Sequence, residues 1–135
     1  MLSAARRTCD LVVVDLPRSF DDASCEVLTS ATTTLLVVPA EVRATAAAAR
    51  VAGRAVLLCS DLRLVVRGPA PDRLTAAAVE RALVLPLAGE TRAEPGLELA
   101  LERGEVPGRD NRSPLGGLCE RLLDDLVVDH QRRAA

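Results

Sequence analysis

The residues best placed to do chemistry lie in the run Cys9-Asp10-Leu11-Val12-Val13-Val14-Asp15-Leu16-Pro17. Four consecutive aliphatic residues suit a strand covered on both faces, and Pro17 cannot extend a ladder, so it opens a loop. Asp15 is then delivered to the C-terminal edge of a sheet, where a carboxylate can hold the magnesium of a nucleotide through water. The same carboxylate could equally be a solvated strand end or a cap for the following helix. Arg18, Arg43 and Arg67 each follow a predicted strand end. Guanidinium groups there could converge on a phosphate or an acidic partner, since arginine binds both bidentately, or stand solvated in their loops. The usual phosphate cradle is missing from these residues. The chain contains no lysine, all 17 basic residues being arginine, and neither G-x-x-x-x-G-K-[ST] nor G-x-G-x-x-G occurs.

Positioning those groups requires alternating strands and helices. Asp21 and Asp22 can cap a helix through residues 23–28. Thr33 to Val38 reads as a second buried strand stopped by Pro39, and the alanine-dense segment Glu41 to Arg54 as its crossover helix. Leu62 to Val66 is a third strand, followed by the loop 67–71. Residues 55–59 suit either a continued helix or a short strand. Thr75 caps a helix to about Leu83, and Leu85 to Gly89 is a short segment that Pro86 confines to a sheet edge or a strand start. Glu94 to Arg103 forms a short helix ended by Gly104, and Pro114 opens a last helix through Val128. The alternation predicts an α/β fold: a mostly parallel sheet with helices on both faces, three layers in all. One domain over residues 1–128 and a flexible tail over 129–135 are expected.

Composition narrows the function classes. An apolar content of 49%, 27% charged residues and a net charge of -2 describe an ordinary globular protein with no basic surplus for nucleic acid. Phe20 is the one aromatic residue, so stacking modes of RNA or single-strand binding have almost nothing to use. Cys9, Cys25, Cys59 and Cys119 are unpaired in sequence, and His130 is the single histidine. Free buried thiols in a reducing cytosol are expected rather than a metal site. The Arg6-Arg7 pair precedes an apolar run that Asp15 cuts too early for an export signal or a membrane span. A cytoplasmic protein is expected, without a transmembrane segment.

Taken in order, Asp10-x4-Asp15-x-Pro17, Leu36-Val37-Val38-Pro39-x-Glu41-Val42, Val65-Val66-Arg67, Leu85 to Glu90 and Arg103-Gly104-Glu105-Val106-Pro107 resemble the C-terminal half of MinD/ParA-type deviant Walker ATPases. The nearest likeness is to the actinobacterial branch similar to the pilus-assembly protein CpaE and called septum site-determining protein. There, runs like those at residues 10–18, 62–69 and 94–97 are typical. The resemblance spans about residues 4–128. It implies a partial P-loop NTPase domain lacking the Walker A half. It also implies that Asp15 is the Walker B-like carboxylate acting on magnesium, that Asp10 begins its strand, that Pro17 belongs to the switch loop, and that Arg67 stands near the adenine. Residues 91–96 match the loop that closes over the base. Two departures bear on activity: Arg18-Ser19 replaces the glycine that commonly follows Asp-x-Pro, and the Walker A loop is absent.

The resemblance therefore implies a localisation factor for septum, pilus or secretion machinery that works through protein contacts and does not hydrolyse ATP by itself. ATP and magnesium belong to a complete homologue and are not expected on this chain alone. The expected partners are another protein or a second copy, with membrane association only through them and no nucleic acid. A self-contained α/β regulatory module and one half of a split ATPase remain the alternatives. The last helix sets Leu115, Leu118, Cys119, Leu122 and Leu126 at helical spacing. Its polar face carries Glu120, Asp124 and Asp125 against Arg121, the wrong sign for anionic lipid, so packing onto the sheet is expected. The missing half would pack beside Leu11 to Val14, so that strand is expected to be uncovered and the chain to self-associate or need a partner.

Overall fold

The computed structural model describes residues 2–68 and 74–134. Its centre is a parallel sheet of β1 (Thr34–Pro39), β2 (Leu62–Arg67) and β3 (Leu87–Thr91), in that spatial order. β1 and β2 run in continuous register from Thr34 opposite Leu62 to Pro39 opposite Arg67, whereas the register of β2 and β3 shifts between Leu64 and Val65. Parallel neighbours need crossovers. α3 (Val42–Ala55) supplies the first and α4 (Ala76–Leu83) the second.

Both crossovers lie on one face of the sheet. Val38, Leu62, Leu64 and Val66 meet Ala48, Ala52 and Ala55 of α3 and Val79 and Leu83 of α4 in a single core. Leu64 and Val79 have no exposed surface. Small alanines four and three residues apart let α3 sit close to the strands, which is how a core almost devoid of aromatics fills its volume. Thr75 caps α4, its hydroxyl accepting from Ala78 N at 3.2 Å. At the opposite end of the strands Asp61 receives Thr33 Oγ1 at 3.0 Å and Arg63 Nε at 3.0–3.1 Å, and its carbonyl accepts from Thr34 N at 2.8 Å. This partly buried cluster locks the entry of β1 to that of β2.

The other face is covered over β3 by α6 (Pro114–Ala134). Leu118 is buried there, and Gly89 admits it: a Cβ on Gly89 would lie 2.5 Å from Leu118 Cδ1. Helices on both faces of a parallel sheet give the three-layer α/β fold expected, and α6 packs on the sheet as its charge pattern required. It continues to Ala134, beyond the expected end at Val128 and through residues expected as a tail.

Several expectations need correction. Leu11 to Val14 is in no strand. The run belongs to no ladder, with Leu11 50%, Val13 84% and Val14 41% exposed. An aliphatic run favours extended backbone locally, but a strand exists only through a ladder, and this run pairs with no described strand. A short helix, α1 (Leu2–Thr8), precedes it, and α2 (Asp22–Ser30) follows, capped by Asp21 and extending past the expected end at Leu28. Residues 56–58 are a turn, neither continued helix nor strand. The last strand lies two residues later than expected, because Pro86 O accepts from Leu64 N before the ladder proper begins. α5 is shorter than expected, Leu97–Glu102, with Gly96 in the left-handed region at its start. The four cysteines are free, but Cys9 and Cys119 are exposed and Cys25 and Cys59 half-buried, so none is fully buried, although Cys59 packs against the core. Residues 69–71 of the expected loop after β2 lie outside the described residues.

Candidate functional site at the carboxyl edge of the sheet

Because all three strands are parallel, their carboxyl ends Pro39, Arg67 and Thr91 share one edge. The backbone knits that edge together: Ala40 N donates to Arg67 O at 2.9 Å and Gly68 N to Thr91 O at 2.8 Å. Leaving the edge, Glu41 is the backbone cap of α3, Arg43 lies in its first turn, and Arg92 follows β3. Arg43, Arg67 and Arg92 are all exposed, as is Glu41. Neither Arg43 nor Arg67 makes an ion pair with a described residue.

The loop 91–96 is tied to the start of α6. Glu94 Oε2 accepts from Leu115 N at 3.0 Å, and Ser113 Oγ accepts from Gly116 N at 3.1 Å, so two of the free amides of the first turn are satisfied by side chains. Gly116 is required for what lies beneath: a Cβ there would overlap the carbonyl of Asp110 and come within 2.8 Å of Gly108 O. The loop 108–113 therefore rests directly on the helix. Glu94, Ser113 and Gly116 were not singled out from the sequence. Ser113 immediately before Pro114 was a readable signal, a capping residue ahead of a proline in the first helical position.

Asp10, Asp15 and Pro17 lie in the segment between α1 and α2, all exposed. No hydrogen bond or ion pair joins Asp10 or Asp15 to another described residue, Arg67 included. Phe20 marks where this segment returns to the body of the protein. Its ring packs against the α3/α4 core with the guanidinium of Arg54 4.2 Å from its centroid. Next to it, Asp21 accepts from Ser24 N at 2.8 Å, and that bond, with the Ser24 side chain, holds the Asp21 carboxyl below its ordinary value. Asp21 is thus a cap, the bland role also weighed for Asp15.

Among the described residues no group of three or more His, Cys, Asp or Glu side chains could hold a metal ion. These residues by themselves supply an exposed Asp15 carboxylate outside any strand, exposed arginines at the sheet edge and no phosphate cradle, which does not fit a complete magnesium–nucleotide site. The concavity lined by Cys25, Glu26, Thr29 and Ser30 lies on α2 and includes none of the predicted site residues.

This geometry has close counterparts. The MinD cell division protein of Aquifex aeolicus superposes with a TM-score of 0.66 at 20% identity, over 79% of this chain and 48% of that one. The MinC:MinD cell division protein complex of the same organism gives 0.66 over 79% and 47%, and a ParA family ATPase of Chlorobium tepidum 0.56 at 16% identity over 76% and 45%. The fold is MinD/ParA-like. In sequence, the uncharacterized proteins MT3760 and Rv3660c of Mycobacterium tuberculosis are each 42% identical over 123 residues, 91% of this chain. The chain spans 35% of the length of those relatives. No protein-family model matches it. Among the described residues no helix is long and apolar enough to cross a membrane.

Proposed function

We propose that this chain serves as the C-terminal portion of a MinD/CpaE-like P-loop protein that positions septum, pilus or secretion machinery through protein contacts in the cytoplasm. The carrying observation is the match of a three-stranded, helix-covered sheet to just under half of the MinD and ParA chains. The free arginines of its carboxyl edge and the unpaired Leu11–Val14 run suit a surface completed by another polypeptide. The Mycobacterium relatives support the actinobacterial branch. In this reading Asp15 and Arg67 contribute to a nucleotide site only when a phosphate cradle is supplied, with Asp10 and Pro17 setting the strand and loop that carry Asp15. A fluorescent fusion expressed in a mycobacterial host tests the role: foci at septa or poles are expected, and a uniform distribution overturns it.

A second reading, one half of an ATPase completed by another segment, is favoured by the coverage of only 35% of the Mycobacterium relatives. Calorimetric titration with magnesium–ATP separates the two. The chain alone should bind more weakly than about 10 μM, roughly -7 kcal/mol, because backbone amides of a Gly-rich loop and a lysine supply most phosphate affinity. Appearance of tight binding only on adding the remainder of Rv3660c would establish the split site. Tight binding by the chain alone would contradict both readings.

A further inference from the structure

Segment 91–96 leaves β3 at the carboxyl edge, and little packing holds it. α5, which follows, buries none of its residues. Between β3 and α5, Arg92, Ala93, Pro95 and Gly96 are exposed and Glu94 alone is half-buried. Glu94 uses both of its acceptor groups. Its carbonyl accepts from Leu97 N at 3.3 Å, in the turn into α5, and its Oε2 accepts from Leu115 N at 3.0 Å, in the first turn of α6. Among the described residues the second is the one hydrogen bond between the segment and α6. A carboxylate suits that position, because the free amides and the dipole of a helix start attract negative charge. About one turn further along, Leu118 is seated against Gly89. α6 is thus fastened to β3 and to the chain leaving it at two points, one of packing and one of hydrogen bonding.

We propose that Glu94 is a clasp coupling the carboxyl edge of the sheet to α6. Ligands of parallel α/β sheets bind outside the carboxyl ends of the strands. An occupant resting on Arg67 and Arg92 meets this segment within two residues of Glu94, because Gly68 N is bonded to Thr91 O at 2.8 Å. Displacing the segment draws Oε2 away from Leu115 N and uncaps the first turn of α6. Loosening that turn, in the opposite direction, frees the segment, since an equilibrium coupling between two places is reciprocal. Glu94 acts through its neighbours and is a positioning residue. The inference rests on the carboxyl edge as the site and not on the localisation role.

Amide exchange followed by nuclear magnetic resonance on the 135-residue chain tests the clasp with no occupant present. Gly96→Ala strains the segment from within: Gly96 has φ 71°, and a Cβ there meets nothing within 4 Å, so the substitution acts through the backbone alone. It should speed exchange at Leu97 and, through Glu94, at Leu115, each by about fivefold or more. Ser113→Ala removes the neighbouring cap of α6 and should in turn speed exchange at Leu97 by about twofold or more. In a Glu94→Ala background both cross effects should vanish, whereas Glu94→Gln, which keeps an acceptor oxygen at the same reach, should retain them. An unchanged Leu115 amide in Gly96→Ala overturns the proposal by itself, whatever the Glu94 variants do. Cross effects that survive Glu94→Ala also overturn it, because the coupling would then run through Leu118 on Gly89, as does a Glu94→Gln chain that behaves like Glu94→Ala. A uniform distribution of the fluorescent fusion would overturn the localisation reading and leave the clasp standing.

Discussion

The two faces of the sheet differ in how far they are finished, although both are built from the same few residue types. Toward α3 and α4, Val38, Leu64 and Val66 are sealed under alanines and valines. On the reverse face α6 covers β3 through Leu118, which lies against Gly89, while Leu35 and Val37 on β1 stay open, as do Leu11, Val13 and Val14 ahead of it. The lesson is that local composition does not decide burial. Val37 and Val38 are adjacent, identical and opposite in fate, because successive strand residues point to opposite faces: α3 packs on β1 from one side, whereas α6, on the other, lies over β3.

The largest effect expected is therefore a contrast between neighbours of the same class. Leu64→Ala should destabilise the chain by about 2–5 kcal/mol, through lost burial and a cavity that α3 and α4 cannot fill. Val37→Ala should cost less than about 1 kcal/mol in the monomeric state, where the side chain is already largely in water. Urea unfolding of both variants at low protein concentration measures the two. A Val37→Ala loss as large as that of Leu64→Ala would mean that the reverse face is covered within the single chain, and the contrast would collapse.

The helix that half-finishes the reverse face depends on a close backbone approach, which gives the next effect in size. Gly116→Ala places a methyl group against the carbonyls of Asp110 and Gly108, and backbone cannot swing aside as a side-chain tip can. The loop 108–113 must lift, loosening the caps from Ser113 and Glu94, at a cost of about 1–3 kcal/mol. Hydrogen exchange should show early loss of protection at the start of α6 with little change in β2. Uniform loss across the sheet would show instead that α6 and the α3/α4 core unfold as one unit.

How much of this was legible in the sequence follows from how local each signal is. β1, α3, β2 and α4 were readable because each carries its own punctuation: Pro39 after a β-branched run, a poly-alanine helix, Thr75 as a cap. Pro86 correctly marked an edge, although the ladder starts one residue beyond it. Leu11 to Val14 has the best strand composition in the chain and forms no strand, since pairing is non-local and composition cannot supply a partner. The site shows the same division. Arg67 ends its strand as expected because β2 is locally specified, whereas the position of Asp15 depends on a ladder that the described residues do not provide. Gly116 was missed for a related reason: its role arises from where residues 108–110 return, which no spacing within α6 reveals.

The smallest expected effect concerns Asp15. Its side chain is exposed in a segment held by no ladder, and no described residue bonds to it, so Asp15→Asn removes a charge without leaving a buried group unsatisfied. The stability of the single chain should change by less than about 0.5 kcal/mol, as for a surface substitution away from special geometry. Asp21→Asn is the informative control, because the Asp21 carboxylate is bonded to Ser24 N and the substitution alters a cap in use. Thermal melts of the two variants at neutral pH compare them directly. If Asp15→Asn lowered the melting temperature as much as Asp21→Asn, Asp15 would be a structural cap in solution and its proposed place in a nucleotide site would lose its support. A silent substitution leaves the carboxylate free for a ligand or partner, the condition that a residue awaiting completion by another polypeptide must meet.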